Sequence, residues 1–179
     1  MKIGLRAAAL FICLTICCVG LAQTERAHTS EQTAFSAEDE AVRNPVAIPE
    51  DIWAILQQDE MVRTFIENAE GTSARLPRSW FSASKVRLAG AQEKDFVIMG
   101  EGQLRGANVI TFWVFRSTPR GHELVLTAPA HDLLVRKSSH NGLRDIEMLA
   151  NTASSVHTVD FRFDGKKYAI FREKWEGIK

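Results

Sequence analysis

The chain has 179 residues with 22 basic and 22 acidic side chains, and 45% of it is hydrophobic. That is enough for one packed domain with extensions, and too apolar for a disordered chain. A formal charge of zero excludes the basic surplus that phosphate-backbone binding needs, so nucleic acid is not an expected partner.

Met1 to Arg6 is short and basic, and Ala7 to Leu21 is almost wholly apolar. Gly20 and Ala22 place small residues before a cut between Ala22 and Gln23, the layout of a secretory signal peptide. The apolar run is shorter than the roughly 20 residues a spanning helix needs, so cleavage without stable membrane insertion is expected. Cys13, Cys17 and Cys18 all fall inside it, which leaves a cysteine-free mature chain in an oxidising compartment. Ile12, Ile16 and Cys17 precede these cysteines, where a lipoprotein cut would require small residues. The expected location is the periplasm or the cell exterior. Loss of Lys2 and Arg6 leaves 20 basic against 22 acidic residues, a net charge of −2.

Gln23 to Asn44 is polar and is expected to be a flexible leader. The domain proper is expected over residues 45–179 and opens with a helical region from Pro45 to Gly71. Pro49 suits a first turn, and Glu50 and Asp51 suit the positive end of a helix dipole. Ile52, Ile55, Leu56, Val62, Phe65, Ile66 and Ala69 recur at helical period. Gln57 to Glu60 interrupts that stripe, and Asp59 can cap a second helix, so one helix or a bent pair is expected. Gly71 is its expected stop.

Thr72 to Phe81 reads as a connection broken by Pro77. Strands are expected around Lys85–Leu88, Lys94–Met99, Asn108–Arg116, His122–Thr127, Asp132–Lys137, Leu143–Leu149 and Val156–Phe163. Asn108–Arg116 carries Val109, Thr111, Trp113 and Phe115 on one face and Ile110, Phe112 and Val114 on the other. Large apolar residues on both faces predict a central strand covered on both sides. The short connections predict antiparallel neighbours. Asp164-Gly165 between Phe163 and Tyr168 predicts a hairpin with that pair at the centre of a two-residue turn. The expected fold is α+β, an N-terminal helix or helix pair packed on a twisted, mostly antiparallel sheet.

Asn141-Gly142-Leu143-Arg144-Asp145-Ile146, followed by the run from Phe161 to Tyr168, resembles the end of small exported bacterial domains of unknown function. The same stretch resembles the blades of integrin-like repeat proteins, but a second copy and a closely spaced acidic loop are missing. Neither resemblance implies an activity.

No Gly-x-Ser-x-Gly elbow, phosphate loop or His-Glu-x-x-His is present in the sequence. Gly100-Glu101-Gly102 with Gly106 leads into a strand rather than a helix, which removes a dinucleotide loop. No catalytic residue, cofactor or metal is therefore assigned. His122, His131 and His140 are spaced nine residues apart, with Asp132, Asp145 and Glu147 close in sequence and His157 beyond them. A pocket joining three of His122, His131, His140, Asp145 and Glu147 would make the chain a hydrolase or metal-dependent enzyme, the alternative reading. Asp145 and Glu147 share one side of a strand, where Arg144, Arg162 and Lys167 are the expected salt-bridge partners. Trp80 and Trp175 are candidate platforms for a sugar or a protein. The reading from sequence is an exported, non-catalytic binding module of the bacterial envelope or extracellular space, its partner an envelope protein or a glycan.

Intact-mass spectrometry of the exported protein should give a chain that begins at Gln23. A mass that still includes Cys13 to Cys18 would refute the signal-peptide assignment.

Overall fold

The computed structural model describes residues 31–68, 75–92 and 94–177. The expected signal segment, its cut at Ala22 and Gln23, and the expected helix stop at Gly71 lie outside the described residues.

The strand β4 (Ile110–Thr118) has its side chains buried from Ile110 through Phe115. Ile110, Phe112 and Val114 enter one hydrophobic cluster, and Trp113 and Phe115 enter another. Two different layers satisfy those two faces. On one side lie the helices α1 (Glu50–Leu56) and α2 (Glu60–Asn68), which contribute Ile52, Trp53, Leu56 and Val62. On the other lies a second sheet.

The sheet that holds β4 has four antiparallel strands: β2 (Phe81–Val86), β3 (Asp95–Gly100), β4 and β5 (Gly121–Ala130), in that order. The facing sheet is built from β1 (Ala34–Ser36), β6 (Asp132–His140), β7 (Leu143–Asn151), β8 (Ser155–Phe163) and β9 (Tyr168–Gly177), again antiparallel and in chain order. The fold is thus α+β with far more strand than helix. Two sheets stand where one was expected, because alternation marks a strand without saying which sheet it joins. The crossing occurs at His131, the single residue between β5 and β6.

The helices are also not the first element. Over residues 31–44 the stretch expected as a flexible leader belongs to the fold. β1 pairs with β6, Phe35 is 1% exposed, and the Arg105 guanidinium donates to the Ala37 and Asp39 carbonyls. The Glu31 carboxylate, 7% exposed, takes Arg87 at 2.9 Å and Arg144 at 3.1 Å. Arg87 follows β2 and Arg144 lies in β7, so one carboxylate ties both sheets. Few residues here are apolar, but these contacts join residues distant in the chain, which local composition does not reveal.

The helical region is a pair, and Asp59 starts its second member. Asp59 Oδ1 accepts the backbone N–H groups of Met61 (3.0 Å) and Val62 (3.2 Å). Its Oδ2 accepts the Trp113 indole N–H at 2.9 Å. One side chain therefore caps a helix and anchors it to β4. The Phe81 ring bridges Trp53 and Trp113 edge-on, at 5.7 and 5.5 Å between centroids.

Two hairpins of the five-stranded sheet close by different turns. Asn141 (φ 49°) and Gly142 (φ 86°) are both left-handed between the paired His140 and Leu143, as a type I′ turn demands. In the last hairpin the Asp164 N–H donates to the Lys167 carbonyl, so the central pair is Gly165-Lys166, one residue later than expected. Gly165 alone has positive φ (107°), and Asp164 Oδ1 accepts the N–H groups of Lys166 and Lys167 at 2.8 and 2.9 Å. That acceptor role moved the turn. Those bonds also hold the Asp164 carboxyl below its ordinary value.

Asp59→Ala removes a cap, about 1 kcal/mol, and strands an indole N–H, about 1–3 kcal/mol. Urea unfolding should show a loss of about 2–4 kcal/mol, whereas Glu60→Ala should stay within about 0.5 kcal/mol. Equal losses would overturn the anchoring role of Asp59.

Candidate functional site

β5 approaches β7 where Ala128–Ala130 meet Met148–Ala150, and beyond that contact β8 stays half-buried and β9 is exposed from Ala169 to Gly177, an overhang of the five-stranded sheet. At the hairpin end the overhang is closed. Phe163 and Tyr168 are 3% and 5% exposed, and the Tyr168 hydroxyl donates to the Arg144 carbonyl at 2.6 Å. Burial drives the Tyr168 phenol far above its ordinary value, which keeps it a neutral donor. Toward the other end the inner face opens.

Register assigns that face. Phe161 opposes Ile170, Val159 opposes Glu173, and His157 opposes Trp175, and opposed residues share a side of a sheet. Phe171 is the extra residue of a β-bulge and turns to the outer face, where the Arg162 guanidinium sits 3.3 Å from its ring centroid. The inner face becomes a shelf of Val159, Phe161 and Ile170 beside Met148, walled by Ala128 to Ala130 of β5, with an open volume of about 220 Å³. Ile170 is 57% exposed and Trp175 61%. The His157 ring stacks on the Trp175 indole at 3.9 Å. Its Nε2 is buried without a hydrogen-bond partner, and the nearest carboxylate oxygen, on Glu173, is 3.6 Å away. That distance is an ion-pair contact for a protonated ring and too long for a hydrogen bond.

The residues singled out by sequence go elsewhere. His140 Nδ1 contacts Asp145 Oδ1 at 2.7 Å, and the Ser138 hydroxyl donates to Asp145 Oδ2 at 2.7 Å. Glu147 is taken by Arg136. Asp145 and Glu147 line one open depression on the outer face, with Asp160 and Arg172 bonded beside them at 2.7 Å. The expected partner Arg144 instead donates to Glu31 and to the Val135 and Arg136 carbonyls. His131 Nδ1 lies 3.1 Å from Asp132 Oδ1 but without hydrogen-bond geometry. His122 contacts Asp51 of α1 at 2.9 Å and packs edge-on to Phe96. Of the five proposed enzyme residues, His140 and Asp145 share a bond and the rest are engaged separately. Among the described residues no three His, Asp or Glu side chains are placed to hold a metal ion. Trp80 packs against the helix-side cluster, which leaves Trp175 as the exposed indole of the two.

Alternation along Val156–Phe163 puts His157, Val159 and Phe161 on one face but does not reveal that this face is uncovered. The available signal was the Ile170-Phe171 pair and Trp175 in a terminal strand. No family model, curated protein or solved structure matches the chain, so function is argued from this geometry.

Asp51 joins α1 to the β4–β5 turn. Gly121 is required there, since it has φ 120° and a Cβ would sit 2.7 Å from Asp51 Oδ2. Burial opposes ionisation of Asp51, but hydrogen bonds from the His122 ring, the His122 N–H and the Ile52 N–H outweigh it and lower the carboxyl below 3.8. A carboxyl depressed in the folded state adds stability above its unfolded value and loses it as pH falls through its folded one. Between about pH 5 and pH 2 the melting temperature of Asp51→Asn should therefore fall less than that of the wild type. Parallel curves would refute the pairing.

Proposed function

We propose that this chain is an exported, non-catalytic binding module of the bacterial envelope or extracellular space, and that the shelf on β8–β9 is its binding surface. The observation that carries the reading is the exposure of Ile170 and Trp175 on a face whose other residues, apart from His157 and Glu173, are apolar. Full burial of one such side chain is worth about 1.5–3 kcal/mol, so an occupant recovers free energy that the isolated chain forgoes. The shelf volume of about 220 Å³ falls below the roughly 300–1,000 Å³ of small-molecule pockets, which favours part of a protein over an enclosed ligand. A glycan would stack on Trp175, but His157 already covers one face of that indole. The export signal supports the location, and an envelope protein is the partner class.

The apolar dye ANS tests the surface directly. The native mature protein should bind it, and Ile170→Glu should abolish the fluorescence gain while shifting the melting temperature little, because Ile170 is more than half exposed. Absence of dye binding by the folded wild type would overturn the shelf as a binding surface.

A further inference from the structure

We infer that the shelf accepts a short amphipathic helix of a partner protein, with a Lys or Arg at the border of its apolar face directed to Glu173; this rests on the binding reading above. Width is the first argument. The overhang is two strands wide, about 9–10 Å at the ordinary strand spacing, which matches the roughly 10 Å diameter of a helix. From Ile170 to Trp175 it runs about 15 Å, the length of about ten helical residues.

Both neighbouring strand edges are poor templates for an added strand. β5 carries Pro129, which has no N–H to donate, beside the shelf. β9 is bent by the bulge at Phe171, and Glu173 directs a charge onto its inner face. Occupancy from above the face is left. The same chain already uses that solution: α1 and α2 cover the outer face of the four-stranded sheet with Ile52, Trp53, Leu56 and Val62.

Glu173 then selects among helices. It is the one acidic residue of the shelf and its side chain is 46% exposed. A helix laid over it with only apolar side chains would desolvate a carboxylate without compensation. A guanidinium or ammonium at the helix border pairs with it and can also lie against the free face of Trp175, a cation–π contact. The footprint is small, so the complex belongs with weak, transient interfaces.

The test uses the mature protein and three synthetic peptides of about 14 residues with one leucine-rich helical face. One has Lys bordering that face, one has Glu at that position, and one has Lys with a central proline that breaks the helix. Titration followed by tryptophan emission and by calorimetry should show the Lys helix binding about tenfold or more tighter than the other two. Glu173→Lys should invert the preference between the Lys and Glu helices. Equal binding of the proline peptide would overturn the helical occupant, and a preference unmoved by Glu173→Lys would overturn the role of Glu173. If ANS binds but no peptide does, this inference fails and the binding surface stands; if neither binds, both fail. Sedimentation that shows a dimer dissolved by Ile170→Glu would assign the shelf to a second copy and overturn a foreign helix.

Discussion

The constraint on which the architecture depends is that β4 must be covered on both faces. A strand with Trp113 and Phe115 on one side and Ile110, Phe112 and Val114 on the other cannot face water on either. The described residues include no cysteine, so packing rather than a disulfide among them holds those layers. The two covers are of different kinds, short helices on one face and a second sheet on the other. The covering sheet runs past the four-stranded one at β8 and β9, which stay half-buried or exposed along most of their length. The shelf is thus a geometric remainder of satisfying β4.

Polar side chains fix how the layers sit. Asp59 links α2 to β4 through Trp113, Asp51 links α1 to the start of β5 through His122, and Glu31 links β2 to β7 through Arg87 and Arg144. Hydrophobic burial is non-directional and would tolerate sliding of one layer over another. Each of these carboxylates has its acceptors used by named donors, so sliding would strand the buried Glu31 carboxylate or the Trp113 indole at about 1–3 kcal/mol apiece, and would cost less at the exposed Asp51. Glu31 is the most demanding of them, since two guanidinium groups would lose their carboxylate if it were withdrawn.

How far the sequence could be read follows from the range of each interaction. The double-sided burial of Ile110–Phe115, which stops short of the exposed Val109, the cap at Asp59 and the shared face of His157, Val159 and Phe161 all depend on neighbours a few residues apart. Alternation and capping report such things directly. The split into two sheets, the clamp at Glu31 and the pairing of His122 with Asp51 join residues dozens of positions apart, and no local pattern encodes them. The final turn failed for a smaller reason: Asp164 acts as the acceptor that closes it, which left Gly165-Lys166 at the centre. The Asn141-Gly142 turn, by contrast, is legible locally, since Asn-Gly between two strand-like runs is a strong hairpin signal. The enzyme alternative asked for three of five residues to meet, and the register brings together His140 and Asp145, with Glu147 beside Asp145 on the same face, while His122 and His131 lie apart.

The contrast between edges and faces bears most on function. Sheet edges invite pairing with other chains, and here they are blunted: β1 is three residues long, β5 carries Pro129, and β9 is bulged with charges at Arg172, Glu173 and Lys174. A chain selected only against association would also be expected to place polar residues on the inner face of its overhang. Instead that face keeps Val159, Phe161, Ile170 and Trp175, while the outer face of the same two strands carries Asp160, Arg162, Arg172 and Lys174. The bulge at Phe171 keeps this division, because it restores the alternation so that Glu173 and Trp175, rather than Arg172 and Lys174, face inward. Protection of the edges and exposure of the face are therefore separate features of the same hairpin. Together they discourage indiscriminate strand pairing and leave one apolar surface uncovered.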